Sequence, residues 1–460
     1  MREHFPAIAL AESGRLNVKR YLGWTEDIFP GPRGGAYINN NPGASLAGAI
    51  PLLLLRPLMA RVDEWNQRLP RRRPRGERDP LLLRMAAEGR TFYFLLAAFV
   101  TVALVMAPAT ALVIAYLCAR IIEAGVPAAH AAAGALICGL GTPLLFRAGS
   151  LNHNLLVADA GFLALLLLWD AQDRPLGPAR AGAAGLLAGY AVLCDYSGVV
   201  VGAVTALYVW LRCGRDWGPR KRCAAAFLAG AAPGVIGLLI YQASAFGSFY
   251  QPSQHYMPPT VPTAFGYRGF DWPSPALLWA NFFDPRFGLF AYCPALCLAF
   301  VAPLAKRVPH RLPGRETRLL FIYFLLFVLL CAANQYSWLQ PATGFRYLVP
   351  VVPALALAAL QGAQLLPRIA RWGLAIGSLV SSLVLAGAHE NDVRLAAGTL
   401  WRRRFELPWM IRLHAAGAPV TWMWTLATYL LTLLAVAWIW AGPLSRRGTN
   451  REERGTLSAT

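Results

Sequence analysis

Residues 182–211, GAAGLLAGYAVLCDYSGVVVGAVTALYVWL, decide the fold because they read in two ways. As one piece the run is apolar enough to cross a bilayer as a helix, for which ~20 residues suffice. Asp195 interrupts it, and an ionisable side chain at membrane depth is costly unless it serves a partner, a cavity or a function. Asp195 or Ser197 also suits the cap of a new helix, so the run can instead be two shorter helices meeting at 195–198. The choice propagates upstream. One crossing requires residues 44–59 to span and leaves the arginine-rich segment 61–90 in the cytoplasm. Two helices leave 44–59, cut by Pro51 and Arg56, lying at the surface. Either version puts residues 1–42 outside and 213–223 inside.

Composition agrees with a membrane protein. Of 460 residues 57% are apolar and 14% charged, and the mean hydropathy is +0.44; a soluble domain carries about 25% charged residues. The net charge of +20 does not point to nucleic acid, because the arginines sit in short loops between apolar runs and no recognition motif accompanies them. Lys/Arg-rich short loops instead mark the cytoplasmic side. The eight cysteines lie mostly in or beside apolar runs. Cys293 and Cys297 are one helical turn apart, but no second pair or histidine completes a metal set, so they read as small packing residues. No cleavable signal peptide is expected, since Arg2, Glu3 and His4 precede only a short apolar stretch.

Beyond 44–59, apolar runs cover 92–118, 128–146, 155–169, 182–211, 224–246, 289–304, 319–333, 347–366, 372–388 and 421–441. The expected fold is all-α: a polytopic transmembrane bundle of about 10–12 membrane helices, half-spans included. The basic loops 213–223 (CGRDWGPRKRC) and 306–318 (KRVPHRLPGRETR) and the tail from Arg446 are cytoplasmic by charge. The aromatic loop 247–288, residues 335–346 and the segment from His389 to about Pro419 then face outside. This divides the chain into a first external loop with a surface helix (1–90), a transmembrane core (91–246), the external aromatic loop (247–288), C-terminal helices (289–441) and a basic tail (442–460). No internal repeat is evident, which weakens a transporter built on inverted repeats.

Chemistry is expected in 23–43, GWTEDIFPGPRGGAYINNNPG, where acids are otherwise scarce. Asp27, with Glu26 as its substitute, offers a carboxylate beside the bilayer that can take a proton from a hydroxyl. Arg346, on the external side and immediately before an apolar run, offers a guanidinium that stays charged and fits phosphate oxygens with two parallel hydrogen bonds. Its plain alternative is an interfacial arginine reaching lipid headgroups. Asp195 and Tyr196 lie at the external turn if 182–211 breaks. The cluster 401–404 (WRRR) suits either anionic headgroups or an anionic substrate, and the aromatic rings of 248–279 suit sugars or the interface.

Several patches together resemble the GT-C superfamily, the membrane glycosyltransferases that use polyprenyl-phosphate sugars. The likeness is to bacterial members akin to protein O-mannosyltransferases and lipid A aminoarabinose transferases. Residues 10–14 (LAESG) with Asp27 and 37–43 (YINNNPG) resemble that family's first external loop. Residues 146–156 (FRAGSLNHNLL) resemble its second, 185–197 (GLLAGYAVLCDYS) a helix preceding a luminal turn, and 338–350 (WLQPATGFRYLVP) the segment "W-G-G-W-x-x-G-P-R-Y-L-x-P". There are departures. Asn40 stands where a Lys is common, Leu339 and Gln340 replace paired glycines, and Asn152 and His153 stand where some relatives place a second acid. The family also has a hydrophobic helix ahead of residue 10, so the true start is expected upstream.

The resemblance implies transfer of a sugar from a polyprenyl-phosphate donor to an acceptor at the outer face of a bacterial inner membrane, with inversion. Asp27 would be the base and Arg346 would hold the leaving phosphate. Arg286 (in NFFDPRFGLF), Asp195, Tyr196, His153, Tyr37 and Asn40 would line the substrate. The lipid-linked sugar is a substrate, so no cofactor is expected, and no metal motif is visible, though some relatives use a metal. The partners are membrane lipid, that donor, and a glycan, lipid or protein acceptor. A flippase for a lipid-linked intermediate and a catalytically silent scaffold of the same fold are the alternatives.

Overall fold

The computed structural model describes residues 3–69, 80–214, 216–305, 312–339, 346–388, 392–418 and 420–441. The chain is helical, with one two-stranded hairpin, β1 (Ile28–Pro30) and β2 (Ala36–Ile38). In order the helices are α1 (His4–Ser13), α2 (Gly43–Leu54), α3 (Arg56–Arg68), α4 (Pro80–Ala87) and the long α5 (Thr91–Glu123). Then come α6 (Ala128–Leu140), α7 (Pro143–Ala148), α8 (His153–Leu168), α9 (Pro178–Cys194), α10 (Gly198–Arg212) and α11 (Trp217–Phe246). The C-terminal part holds α12 (Pro275–Phe283), α13 (Gly314–Ala333), α14 (Val352–Gly362), α15 (Arg368–Ala388), α16 (Val393–Arg402), α17 (Pro408–Ala415) and α18 (Trp422–Ala441). Among the described residues four helices, α5, α11, α13 and α15, are long and apolar enough to cross a membrane, or five if the bent pair α2–α3 counts as one span.

The run 182–211 is two helices. Asp195 is extended (φ −159°, ψ 152°), and its Oδ1 accepts the Ser197 amide at 2.8 Å, which satisfies a donor at the start of α10. A Cβ on Gly198 would lie 2.2 Å from the Ala191 carbonyl carbon, so glycine alone lets the two helix ends meet. The upstream consequence follows too. The axis of α2–α3 bends by 82° at Leu55, and Arg90, at the head of α5, bonds Glu12, Asp63 (3.0 Å) and Tyr21 (3.2 Å). The described part of 61–90 therefore lies on the same face as residues 1–42 and not on the opposite one. Net charge misleads there because Glu12 and Asp63 cancel the buried Arg90; residues 70–79, with most of the arginines, lie outside the described residues.

Other expected elements differ in detail. Residues 4–13, read as polar to mixed, form a helix with Phe5, Ala7 and Ile8 buried. The run 128–146 breaks at Gly141, where the Thr142 side chain caps α7. In place of an α-helix, 294–304 is a 3₁₀ helix with Pro303 inside it, since prolines lack the amide that an α-helix needs.

α9 and α11 pack closest, through small residues. A Cβ on Gly185 would lie 2.0 Å from the Phe227 oxygen, and one on Gly234 2.2 Å from the Gly189 oxygen. Such facing small residues let backbones approach where lipid offers no hydrophobic drive for association. α8, α9 and α10 have 16, 17 and 15 residues, so at 1.5 Å per residue each is about 22–25 Å long. They connect two polar layers. One layer, at the C-terminal ends of α5, α8 and α10, is an ion-pair lattice. Asp170 accepts from Arg174 (3.0 Å) and Arg180 (3.2 Å), Arg315 bridges Asp173 (2.8 Å) and Glu316 (2.7 Å), and Arg212 meets Asp173. The other layer is the site face.

Candidate functional site

The site face is assembled from four places in the sequence. The first is the head of α1. Glu3 is 5% exposed, His4 bonds the Thr101 hydroxyl at 3.0 Å, and the Ser45 hydroxyl on α2 donates to the Glu3 carbonyl at 2.8 Å. The second is the asparagine triplet. A Cβ on Gly43 would lie 2.7 Å from the backbone of Leu193 and Cys194, so the Pro-Gly seats α2 directly on the end of α9. That seating turns Asn40 inward, and Asn41 donates to the Val192 carbonyl at 3.0 Å. The third place is 146–154, where the Asn152 side chain caps α8 through the Leu155 amide at 2.9 Å and so sets His153 in the first turn. The fourth is Asp195, at the break between α9 and α10.

These meet at His153. Its Nδ1 lies 2.7 Å from Glu3 Oε1, and its Nε2 lies 2.9 Å from Asn154 Nδ2 and 3.6 Å from Asp195 Oδ2. Asn40 Nδ2 donates to the same Glu3 oxygen at 2.9 Å and stands 3.4 Å from His153 Nδ1. A carboxylate only accepts, so Nδ1 is the protonated nitrogen toward Glu3, leaving Nε2 to face Asn154 and Asp195. The two acids differ in access: the Asp195 side chain is 24% exposed and that of Glu3 6%.

Two arginines adjoin the acids. Arg147 and Arg346 are both buried. Burial pushes the Arg147 guanidinium down from its usual range; Tyr292, Glu3 and Tyr347 oppose that shift, while the like charge of Arg346 adds to it. Arg346 lies over the Tyr347 ring, 4.5 Å from its centroid, and donates to the Tyr347 hydroxyl. The face thus sets carboxylates and a histidine near two buried arginines, residue types suited to a ligand carrying both a hydroxyl and an anionic group.

The structure therefore brings together Asn40, His153, Asp195 and, through Arg147, Arg346. Tyr196 joins at the edge, its hydroxyl accepting from Gln242 (2.6 Å) and from the Ser253 amide (3.3 Å), which ties the aromatic loop to the break. Tyr37 packs elsewhere, its ring beside Phe246 (5.3 Å) and over Gly31 and Gly35. Arg286 grips Asp284 (2.8 Å) and is half-exposed. Asp27 is half-exposed ahead of β1, with the Thr25 hydroxyl 3.4 Å from its carboxylate, and Glu26 is exposed. Residues 340–345 of the segment before Arg346 lie outside the described residues.

Glu3, Arg147 and Asn154 were not anticipated as site residues. Arg147 and Asn154 fall within FRAGSLNHNLL, but Arg147 lies in the short α7 and Asn154 in the first turn of α8 with a loop between them, so spacing alone does not show them converging. Glu3 reads as a charge near the chain start, and only the packing of α1 on α2 and α5 buries it. Among the described residues, no three His, Cys, Asp or Glu side chains converge as a metal set. Compared with protein-family models, curated proteins and solved structures, the chain has no match in any of the three.

Proposed function

We propose that this chain is a membrane glycosyltransferase of the GT-C type, moving a sugar from a polyprenyl-phosphate donor to an acceptor hydroxyl at the outer face of the membrane. The single observation that carries the reading is the Glu3–His153–Asp195 cluster near Arg147 and Arg346, at the end of the apolar helices away from the ion-pair lattice. Asp195, the more accessible acid, takes the acceptor's proton; the Ser197 amide holds its carboxylate, with His153 and Glu3 beside it. Arg346 and Arg147 hold the leaving phosphate and stabilise the negative charge that develops on it. The acceptor oxygen forms its bond to the anomeric carbon as the bond to phosphate oxygen breaks, so configuration inverts. Tyr196 and the aromatic loop cover the sugar. Asp27 stays in the reading as a residue of the first loop whose role the same experiment decides.

The test uses the purified full chain in lipid with a panel of radiolabelled polyprenyl-phosphate sugars, following donor consumption and product. Consumption of one donor is expected for wild type, with loss in Asp195→Asn and Arg346→Ala. Loss confined to Asp27→Asn would return the base to the first loop. Donor binding without turnover would favour a carrier, and no binding to any donor would overturn the proposal.

A further inference from the structure

We propose that the turn joining α16 to α17, residues 401–405 (WRRRF), is a docking site for anionic phospholipid headgroups in the leaflet on the site face. This rests on the reading of the long apolar helices as membrane spans and is independent of the glycosyl-transfer reading. α16 is seated by its inner side, where Ala396 and Leu400 are buried and a Cβ on Gly387 would lie 3.3 Å from the Leu400 side chain. α17 is held by Trp409, whose ring lies 6.3 Å from Phe99 on α5. Phe99 is two residues from Thr101, to which His4 bonds, so the turn sits at the depth of the site. The Tyr429 hydroxyl, on the apolar α18, donates to the Phe405 carbonyl at 3.2 Å. The turn thus lies beside apolar helix and not clear of it.

The cations of this region divide into two sets. Arg286 and Arg394 are gripped by Asp284 (2.8 Å) and Asp392 (2.7 Å), and Arg403 folds inward to the Ala388 carbonyl (2.8 Å). The Arg402 guanidinium bonds only its own helix, the Gly398 carbonyl and Thr399 hydroxyl, each at 3.3 Å, and the Arg404 guanidinium has no hydrogen bond or ion pair among the described residues. Around these two stand Trp401, 73% exposed, with Phe405 and Leu395 also exposed. Arg404 and Phe405 both hold left-handed backbone (φ 50° and 61°), which non-glycine residues rarely adopt and which persists only where the surroundings impose it. The exposed pairing of two arginines with Trp and Phe fits one occupant best. A soluble anion would satisfy the guanidiniums and leave the rings bare, whereas a lipid offers phosphate to the first and acyl chain to the second.

The test places full-length protein in phosphatidylcholine vesicles containing a quarter phosphatidylglycerol, and compares spin-labelled forms of the two lipids for immobilisation at the protein surface. Wild type is expected to select phosphatidylglycerol. The double variant Arg402→Gln/Arg404→Gln should lower that selectivity by about threefold to fivefold, the corresponding Lys variant should retain it, and Arg286→Gln, whose charge is already paired, should leave it unchanged. Unchanged selectivity in the Gln double variant would overturn the proposal. So would a double variant that keeps lipid selectivity but loses inorganic-phosphate binding, which would assign the turn to a soluble anion.

Discussion

The two polar layers at the ends of α8, α9 and α10 are built from the same residue types and solve opposite problems. In the lattice around Asp170, Asp173 and Glu316, the carboxylates meet arginines, and Arg180 also takes up the Leu167 and Trp169 carbonyls (2.7 and 3.0 Å). Charge there cancels locally, as a structural staple requires. On the site face two acids and two asparagines gather around one histidine, near two buried arginines. The contrast is between a lattice of arginine–carboxylate pairs and a cluster centred on one imidazole.

The sharpest way to break the comparison is Asp195→Asn. Replacing the accessible acid of the site should cut donor consumption by about 10²–10⁴-fold while leaving the thermal midpoint near wild type, because the amide can still accept the Ser197 N–H. Equal losses of activity and stability would make the site layer a staple as well. Next is Gly185→Val, midway along α9. A side chain there meets the Phe227 backbone, which cannot yield, so α9 and α11 must part at a cost of about 3 kcal/mol, read as a lower unfolding midpoint. A midpoint within a degree of wild type would show that the α9–α11 approach is looser than described.

The lattice makes a pH-dependent prediction. Burial raises the Asp170 pKa, but the amides of Gln172 and Arg174 and the guanidiniums of Arg180 and Arg174 outweigh it and hold the group down to about 2. Its pKa in the unfolded chain is about 3.9. A folded value below the unfolded one contributes stability above about pH 4 and loses it as pH falls through about 2. Asp170→Asn should therefore cost about 2 kcal/mol at neutral pH and erase the difference from wild type near pH 2, measured by denaturation across pH 5–2. The smallest effect belongs to Tyr196→Phe at the rim, where loss of the hydroxyl's bonds to Gln242 and Ser253 should cost about 1 kcal/mol and free the aromatic loop, raising the apparent KM for the acceptor more than it lowers kcat.

Much of the frame was legible in the residues. Apolar runs located the long helices, and Asp195 marked where 182–211 could break, though one helix and two stayed open until the structure. Legibility failed where a local rule met a tertiary partner. Arg90 looked like a marker of the cytoplasmic face until Glu12 and Asp63 cancelled it. Glu3, with nothing in its neighbours to mark it, is carried inward by α1.

By itself the sequence determined the helical class, the apolar lengths and the residue types available for chemistry, because hydrophobic length and the cost of unsatisfied backbone act on each segment separately. The tertiary structure alone decided which acids and cations share a site. Contacts such as Glu3 with His153 join residues far apart in the chain, and they form only when glycines at 43, 185 and 198 let helix backbones close on one another.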